Sequence, residues 1–225
     1  MLRELFAPGE YYHVLGRGNY KQDIFIDRKD KARFLFSILY LQSPEKFYNF
    51  SRQITNYVRH RVFNISEKKV TRVVNSRSVE LVSFCLMPNH FHLIVKEAKE
   101  GGISKYMQRT LNGFTKYHNT KYKKKGHLFE GPFKAVHIET DEQLLYLSAY
   151  IHRNPRGLKK WINKEIKYTW SSYQDYVKGN RWGELLVPDL IRDNFSTGEE
   201  YMKQVEESGA KDEVVEELLS GVWVR

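Results

Sequence analysis

His90 and His92 are separated by one residue, Phe91, inside the apolar run 90–96. On a β-strand, residues i and i+2 point to the same face, so both imidazoles can converge on one metal ion while Phe91 turns into a core. Taken alone, the pair also has an ordinary reading, because a His-x-His triplet arises by chance in a fair share of chains with eight histidines. Tyr150 and Asn154 form a second pattern. They are four residues apart at the end of a helical segment that Pro155 must stop, and therefore share a face. Together they can offer a phenolic nucleophile and a carbonyl ligand to one site. By themselves they read more readily as a partly buried tyrosine beside a polar helix terminus.

The elements that would position these side chains can be read in order. Residues 10–16 are aromatic and branched and run into Gly16-Arg17-Gly18-Asn19, a strand followed by a turn. Asp27 is placed to cap a helix that extends to about Leu41. A mixed, basic stretch at about 43–78, weakly helical between Phe50 and Val62, reads as an insertion. Residues 79–86 and 90–96, joined by Met87-Pro88-Asn89, predict an antiparallel β-hairpin. The spacing of Ile103, Met107, Leu111 and Phe114 predicts an amphipathic helix over 103–122. A short strand at 133–138 precedes a helix opened by the Thr140/Gln143 capping box and closed near Asn154. The order β-α-β-β-α-β-α predicts an α+β domain of ferredoxin-like, split β-α-β plan, with an antiparallel sheet backed by helices. Residues 1–180 would form this domain. The aromatic segment 168–173 reads as a docking strip, and 181–225 as an acidic helical extension capped by Thr197 and Glu200.

Composition limits what such a site could serve. The chain has 225 residues, 41% hydrophobic and 28% charged, which excludes fibrous and wholly disordered classes. Cys85 is the single cysteine, so neither an internal disulfide nor a multi-thiolate metal site is available. No stretch suits a membrane span, and the first residues lack the apolar run of a signal peptide; a bacterial-type cytoplasm, in association with the nucleoid, is the expected location. The net charge of +10 points to a polyanionic partner. Lys105, Arg109, Lys116, Lys121, Lys123, Lys124, Lys125 and Lys134 stand against Glu130 alone, whereas residues 199–217 hold eight acids against two lysines. Tyr106, Tyr117 and Tyr122 alternate with these bases, a mixture suited to single-stranded nucleic acid, because rings stack on unpaired bases while ammonium groups meet phosphates. A solvated helix face is the plainer account of the lysines.

Taken together, the motifs are more specific. Met-Pro-Asn-His-Phe-His-Leu at 87–93, Gly-His-Leu-Phe-Glu-Gly at 126–131, Tyr150-x-x-x-Asn154-Pro155, Arg17-Gly18-Asn19 and Trp170-Ser171-Ser172-Tyr173 resemble the single-tyrosine HUH transposases, and most nearly the REP-associated tyrosine transposases of bacteria. The resemblance spans about residues 10–178. It implies an HUH endonuclease fold in which His90, His92 and Asn154 hold a divalent cation, magnesium or manganese, and Tyr150 attacks phosphorus to give a 5′-phosphotyrosine. The implied partner is single-stranded or hairpin DNA, contacted by Arg17 and by the basic set Lys105, Arg109, Lys116, Lys121, Lys123, Lys124 and Lys125. His152 and Arg153 receive no role, and His13, His118, His127 and His137 are expected to be structural or DNA-contacting. Two features depart from the family pattern: Pro132 follows Gly131 where an arginine is common, and the 43–78 insertion has no counterpart.

Two other readings compete. A replication initiator or relaxase would use similar HUH residues, although the position of the tyrosine and the Asn-Pro after it favour a transposase. A non-catalytic nucleic-acid-binding module would keep the basic helix without needing His90, His92, Tyr150 and Asn154 together. The acidic tail could dock on the domain, control access of DNA, or meet a second copy in a homodimer.

Overall fold

In the computed structural model, which describes residues 6–208 and 223–224, five strands form one antiparallel sheet. Its strands are β1 (Tyr11–Arg17), β2 (Val79–Leu86), β3 (His90–Glu97), β4 (Phe133–Ile138) and β5 (Trp223–Val224), and their spatial order is β2-β3-β1-β4-β5. The order β2-β3-β1-β4 is that of the expected split β-α-β plan, and β5 adds a short edge that the sequence reading lacked. The protein is therefore α+β.

Helix α1 (Arg28–Tyr40) begins at Asp27, whose carboxylate accepts from the Asp30 amide while Asp30 reaches back to the Asp27 amide. This capping box satisfies two amides that a helix start otherwise leaves without partners. Helix α4 (Gly102–Tyr122) lies on the same side of the sheet. Alternation along β3 divides its side chains between the two faces. Phe91 packs on Phe34 at 4.8 Å, and Phe34 meets Phe114 edge-on at 5.2 Å, so the α1/α4 layer is locked to the sheet by rings. A Cβ on Gly16, which pairs with Phe91 across the β1–β3 ladder, would lie 2.6 Å from that ring. Glycine is what lets the phenyl lie across β1.

His90 and His92 consequently point to the other face, where α5 (Asp141–Arg153) packs. Helix α5 is fixed by His152, which is fully buried. Its Nδ1 lies 2.6 Å from the Tyr201 hydroxyl on α8 (Gly198–Glu207), and its Nε2 lies 2.7 Å from Ser172 Oγ and 3.1 Å from Ser83 Oγ on β2. One imidazole thus ties the helix to the sheet, to the 168–173 strip and to the C-terminal segment. Burial pushes its pKa down to about 3. The strip itself runs beside β2, with the Leu86 amide donating to Trp170 O and the Ser172 amide to Phe84 O.

The 43–78 segment holds two helices, α2 (Phe50–His60) and α3 (Glu67–Ser76), of which only the first was legible in the sequence. Tyr57 stacks on Phe63 at 4.3 Å, and both rings pack towards Trp182. Short helices α6 (Tyr173–Val177) and α7 (Asp189–Arg192) connect the strip to α8. The acidic segment beyond residue 208 lies outside the described residues. Among the described residues, no helix is long and apolar enough to cross a membrane.

Candidate active site

Strand β3 and the last turn of α5 bring His90, His92, Tyr150 and Asn154 together. Asn154 is the C-cap of α5, and its Nδ2 donates to the Tyr150 carbonyl at 3.1 Å. That bond turns Oδ1 towards His90 Nε2, 3.3 Å away. On its other side, His90 Nδ1 lies 2.6 Å from Asn89 Oδ1, and Asn89 Nδ2 donates to Lys21 O at 3.1 Å. With Asn89 Oδ1 thus an acceptor, a neutral His90 carries its proton on Nδ1. Its Nε2 lone pair then faces the Asn154 oxygen, another acceptor.

His92 is oriented in the same manner. Its Nδ1 lies 3.0 Å from His13 Nε2, and one proton is shared between them, which leaves Nε2 of His92 as the nitrogen available to a ligand. Burial, followed by the neighbouring charges of His90, His13 and Arg17, holds the His92 pKa well below its ordinary value. Burial lowers His13 to about 4. Both rings are therefore neutral at physiological pH, the form that binds metals. The Tyr150 ring meets His92 edge-on with centroids 5.6 Å apart, and the residue is 8% exposed.

These donors fit a divalent cation. In that tautomer of His90 two acceptor atoms face each other across 3.3 Å, an arrangement that a positive charge beside both would satisfy. Adjacent ligands on an octahedral ion with bonds of about 2.1 Å stand about 3 Å apart.

The model for transposases of the IS200-like type matches residues 9–154, from two residues before β1 to Asn154. The chain belongs to the IS200-like transposase family. A solved structure of a REP-associated tyrosine transposase bound to a REP hairpin aligns with 77% of this chain and 82% of its own at 12% identity, with a TM-score of 0.49. No curated protein matches.

In this IS200-like transposase, Arg17 stands opposite His90 in the β1–β3 ladder, on the face that carries the histidines. The basic set of α4 divides into two groups. Lys105, Lys116, Lys123, Lys124 and Lys125 are exposed, Lys124 reaching Gln22 Oε1 at 3.3 Å. Lys121 instead pairs with Asp27 at 2.7 Å and with the fully buried Asp30 at 2.6 Å. Burial pushes the Asp30 carboxyl up, but its bonds to Lys121, Tyr122 and the Asp27 amide prevail and hold it below the ordinary value. Arg109 donates to the carbonyls of Ser43 and Glu45 and so anchors the start of the insertion. The tyrosines of α4 do not line a base-stacking surface: Tyr106 is buried with its hydroxyl on Ile38 O, while Tyr117 and Tyr122 turn theirs to Asp30. Tyr106 and Tyr117, about three turns apart, share the side of the helix that meets α1, whereas Tyr122 reaches Asp30 from the last turn.

Two features escaped the sequence reading. A cleft of about 720 Å³ between α4 and residues 127–133 is lined by Asn19, Lys105, Gln108, Asn112, His127 and Phe129 among others. Arg153, three residues after Tyr150, has Nε and Nη1 buried without a hydrogen-bond partner.

Proposed function

We propose that this transposase is a divalent-cation-dependent single-strand DNA nuclease and strand transferase that acts beside a DNA hairpin. The observation that carries the reading is the meeting of His90 Nε2 and Asn154 Oδ1 at 3.3 Å, on the helix that bears Tyr150. The Tyr150 hydroxyl gives up its proton and its oxygen bonds to phosphorus. The bond from phosphorus to the 3′-oxygen breaks, and that oxygen takes a proton to become a free 3′-hydroxyl. The 5′-phosphate remains on Tyr150, and attack by a 3′-hydroxyl on another strand reverses the step. One phosphodiester replaces another, so no nucleotide hydrolysis is required.

A phenol of pKa near 10 is a weak nucleophile at neutral pH and needs positive charge close to it. His90, His92 and Asn154 would hold the cation, which supplies Lewis-acid polarisation of the scissile phosphate when bound. Arg17, on the same face, and Arg153, with buried nitrogens unsatisfied, add guanidinium groups suited to phosphate oxygens. Asn89 and His13 hold the two imidazoles in the ligand-presenting tautomer. The exposed lysines of α4 and its following turn serve as phosphate contacts. The hairpin preference is supported by the resemblance of segments 87–93 and 126–131 to the REP-associated group.

The test is incubation of hairpin-bearing single-stranded DNA with the protein and manganese. The expected products are one fragment with a polymerase-extendable 3′-hydroxyl and another whose 5′ end resists phosphatase and exonuclease. A 5′-hydroxyl or a free 5′-phosphate on the second fragment would mean hydrolysis without a tyrosine intermediate.

A further inference from the structure

Between β1 and α1 the chain makes a turn that the chemistry above does not use. Tyr20 lies at φ 51° and ψ 32°, and Lys21 follows at φ 57°, the one pair of consecutive left-handed non-glycine residues among those described. Bulky side chains avoid this region, so the surrounding structure must impose it. Several contacts do. The Lys21 amide donates to Gly18 O at 2.8 Å, and the amides of Ile24 and Phe25 both donate to Pro88 O at 3.0 Å. A Cβ on Gly18 would lie 2.2 Å from Gln22 O, so the turn closes only over a glycine.

The result of this constraint is an aromatic ring held outwards. Tyr20 is 93% exposed, the most exposed of the large hydrophobic residues, and makes no ring contact among the described residues. Nothing in folding rewards such a placement, because an apolar ring in water gains no burial. The turn is also coupled to the site. Asn89 uses one end of its amide on Lys21 O and the other on His90 Nδ1, so a single side chain sets the position of the turn and the orientation of a proposed metal ligand. Cations surround the turn: Arg17 at the end of β1, Lys21 itself, and Lys124, which reaches Gln22. An exposed ring beside positive charge suits an unpaired base on a phosphate-bearing strand.

We propose that Tyr20 is a stacking platform for one unpaired nucleobase flanking the scissile phosphate, with Asn89 holding the platform in register with His90. The proposal deepens the single-strand DNA reading and rests on it. The ring would select unpaired over paired DNA at this position, because a base in a duplex has no free face to offer.

The experiment uses the full chain without divalent cation, so that no strand is cut, and a hairpin with or without a single-stranded extension on each side. Tyr20→Ala should weaken binding of the extended hairpin by about 5- to 150-fold, the range expected for one stacked base. It should change binding of the blunt hairpin less than twofold, and Tyr20→Trp should retain tight binding. Replacing extension nucleotides one at a time by abasic sites should reveal a single position that costs the parent protein affinity and costs Tyr20→Ala nothing further. Equal affinity of parent and Tyr20→Ala for the extended hairpin would overturn the proposal while leaving the DNA reading intact, as would equal losses on extended and blunt hairpins. Failure of the parent to bind either DNA would overturn the DNA reading itself, and this proposal with it.

Discussion

Asn154 Oδ1 stands 3.3 Å from His90 Nε2, and each atom is held there by a bond made at the far side of its own group: Asn154 Nδ2 to the Tyr150 carbonyl, and His90 Nδ1 to Asn89. The relation joins a strand residue to a helix terminus 64 positions later. It also links the residue that would hold a cation to the backbone of the residue that would attack.

The partners behind the two imidazoles should therefore matter nearly as much as the imidazoles. Asn89→Ala and His13→Leu are expected to raise the manganese concentration needed for half-maximal cleavage by about 10- to 100-fold, with recovery at excess metal. Titration of cleavage against manganese checks this. An unchanged midpoint in both variants would mean that Asn89 and His13 only fill space.

The two classes of lysine on and after α4 should separate by stability and by salt. Lys121→Ala leaves Asp30 buried without its cation, though the tyrosine hydroxyls remain, and should cost about 2 kcal/mol or more in urea unfolding. Replacing Lys123, Lys124 and Lys125 by Ala should leave stability within about 0.5 kcal/mol. The same triple variant should flatten the log–log salt dependence of single-strand binding by up to about two, at about 0.7 per phosphate contact. Cognate and scrambled hairpins should lose affinity alike, because phosphate contacts carry no sequence information.

Acid should destabilise the fold through buried histidines. His152 titrates near 3 when folded and near 6.5 when unfolded, so between these values the unfolded chain binds the extra proton. Stability is then full above about pH 6.5 and falls as pH drops towards 3, by up to about 1.4 kcal/mol per pH unit for this group. His13, lowered to about 4, adds in the same direction. His152→Gln should be less stable at pH 7 but show a slope shallower by about one proton between pH 6 and 4. An identical slope in the variant would remove His152 as a source of acid sensitivity.

Much of the fold was legible because its signals are local. The Asp27 and Thr140 caps, the apolar, β-branched run on each side of Met87-Pro88-Asn89, and Pro155 after α5 each report on neighbours within a few residues. The fate of the tyrosines on α4 was not local: what Tyr117 and Tyr122 face depends on where Asp30 arrives, some ninety residues earlier. Helix α3 carries its apolar residues at helical spacing, Val70, Val73 and Val74, but it is short and set in a basic, polar stretch, which hid it in the sequence. The roles of Asn89 and His13 could not be read either. Asn89 is turned to His90 only once the turn at Lys21 is in place, and His13 meets His92 only when β1 pairs with β3. Arg153 and Tyr20 carry no motif; one is marked by unsatisfied nitrogens and the other by exposure and backbone angle, which exist only in three dimensions.

The most direct measurement is a covalent one. The protein is incubated with labelled hairpin-bearing single-stranded DNA and manganese, denatured, digested, and the nucleotide-bearing peptide sequenced by mass spectrometry. A 5′-phosphate ester on Tyr150 is expected, and no adduct from Tyr150→Phe, which loses only the attacking oxygen and should bind DNA as the parent does. An adduct mapped to another residue, Tyr146 one turn earlier being the nearest alternative, or an adduct that persists in Tyr150→Phe, would contradict this assignment.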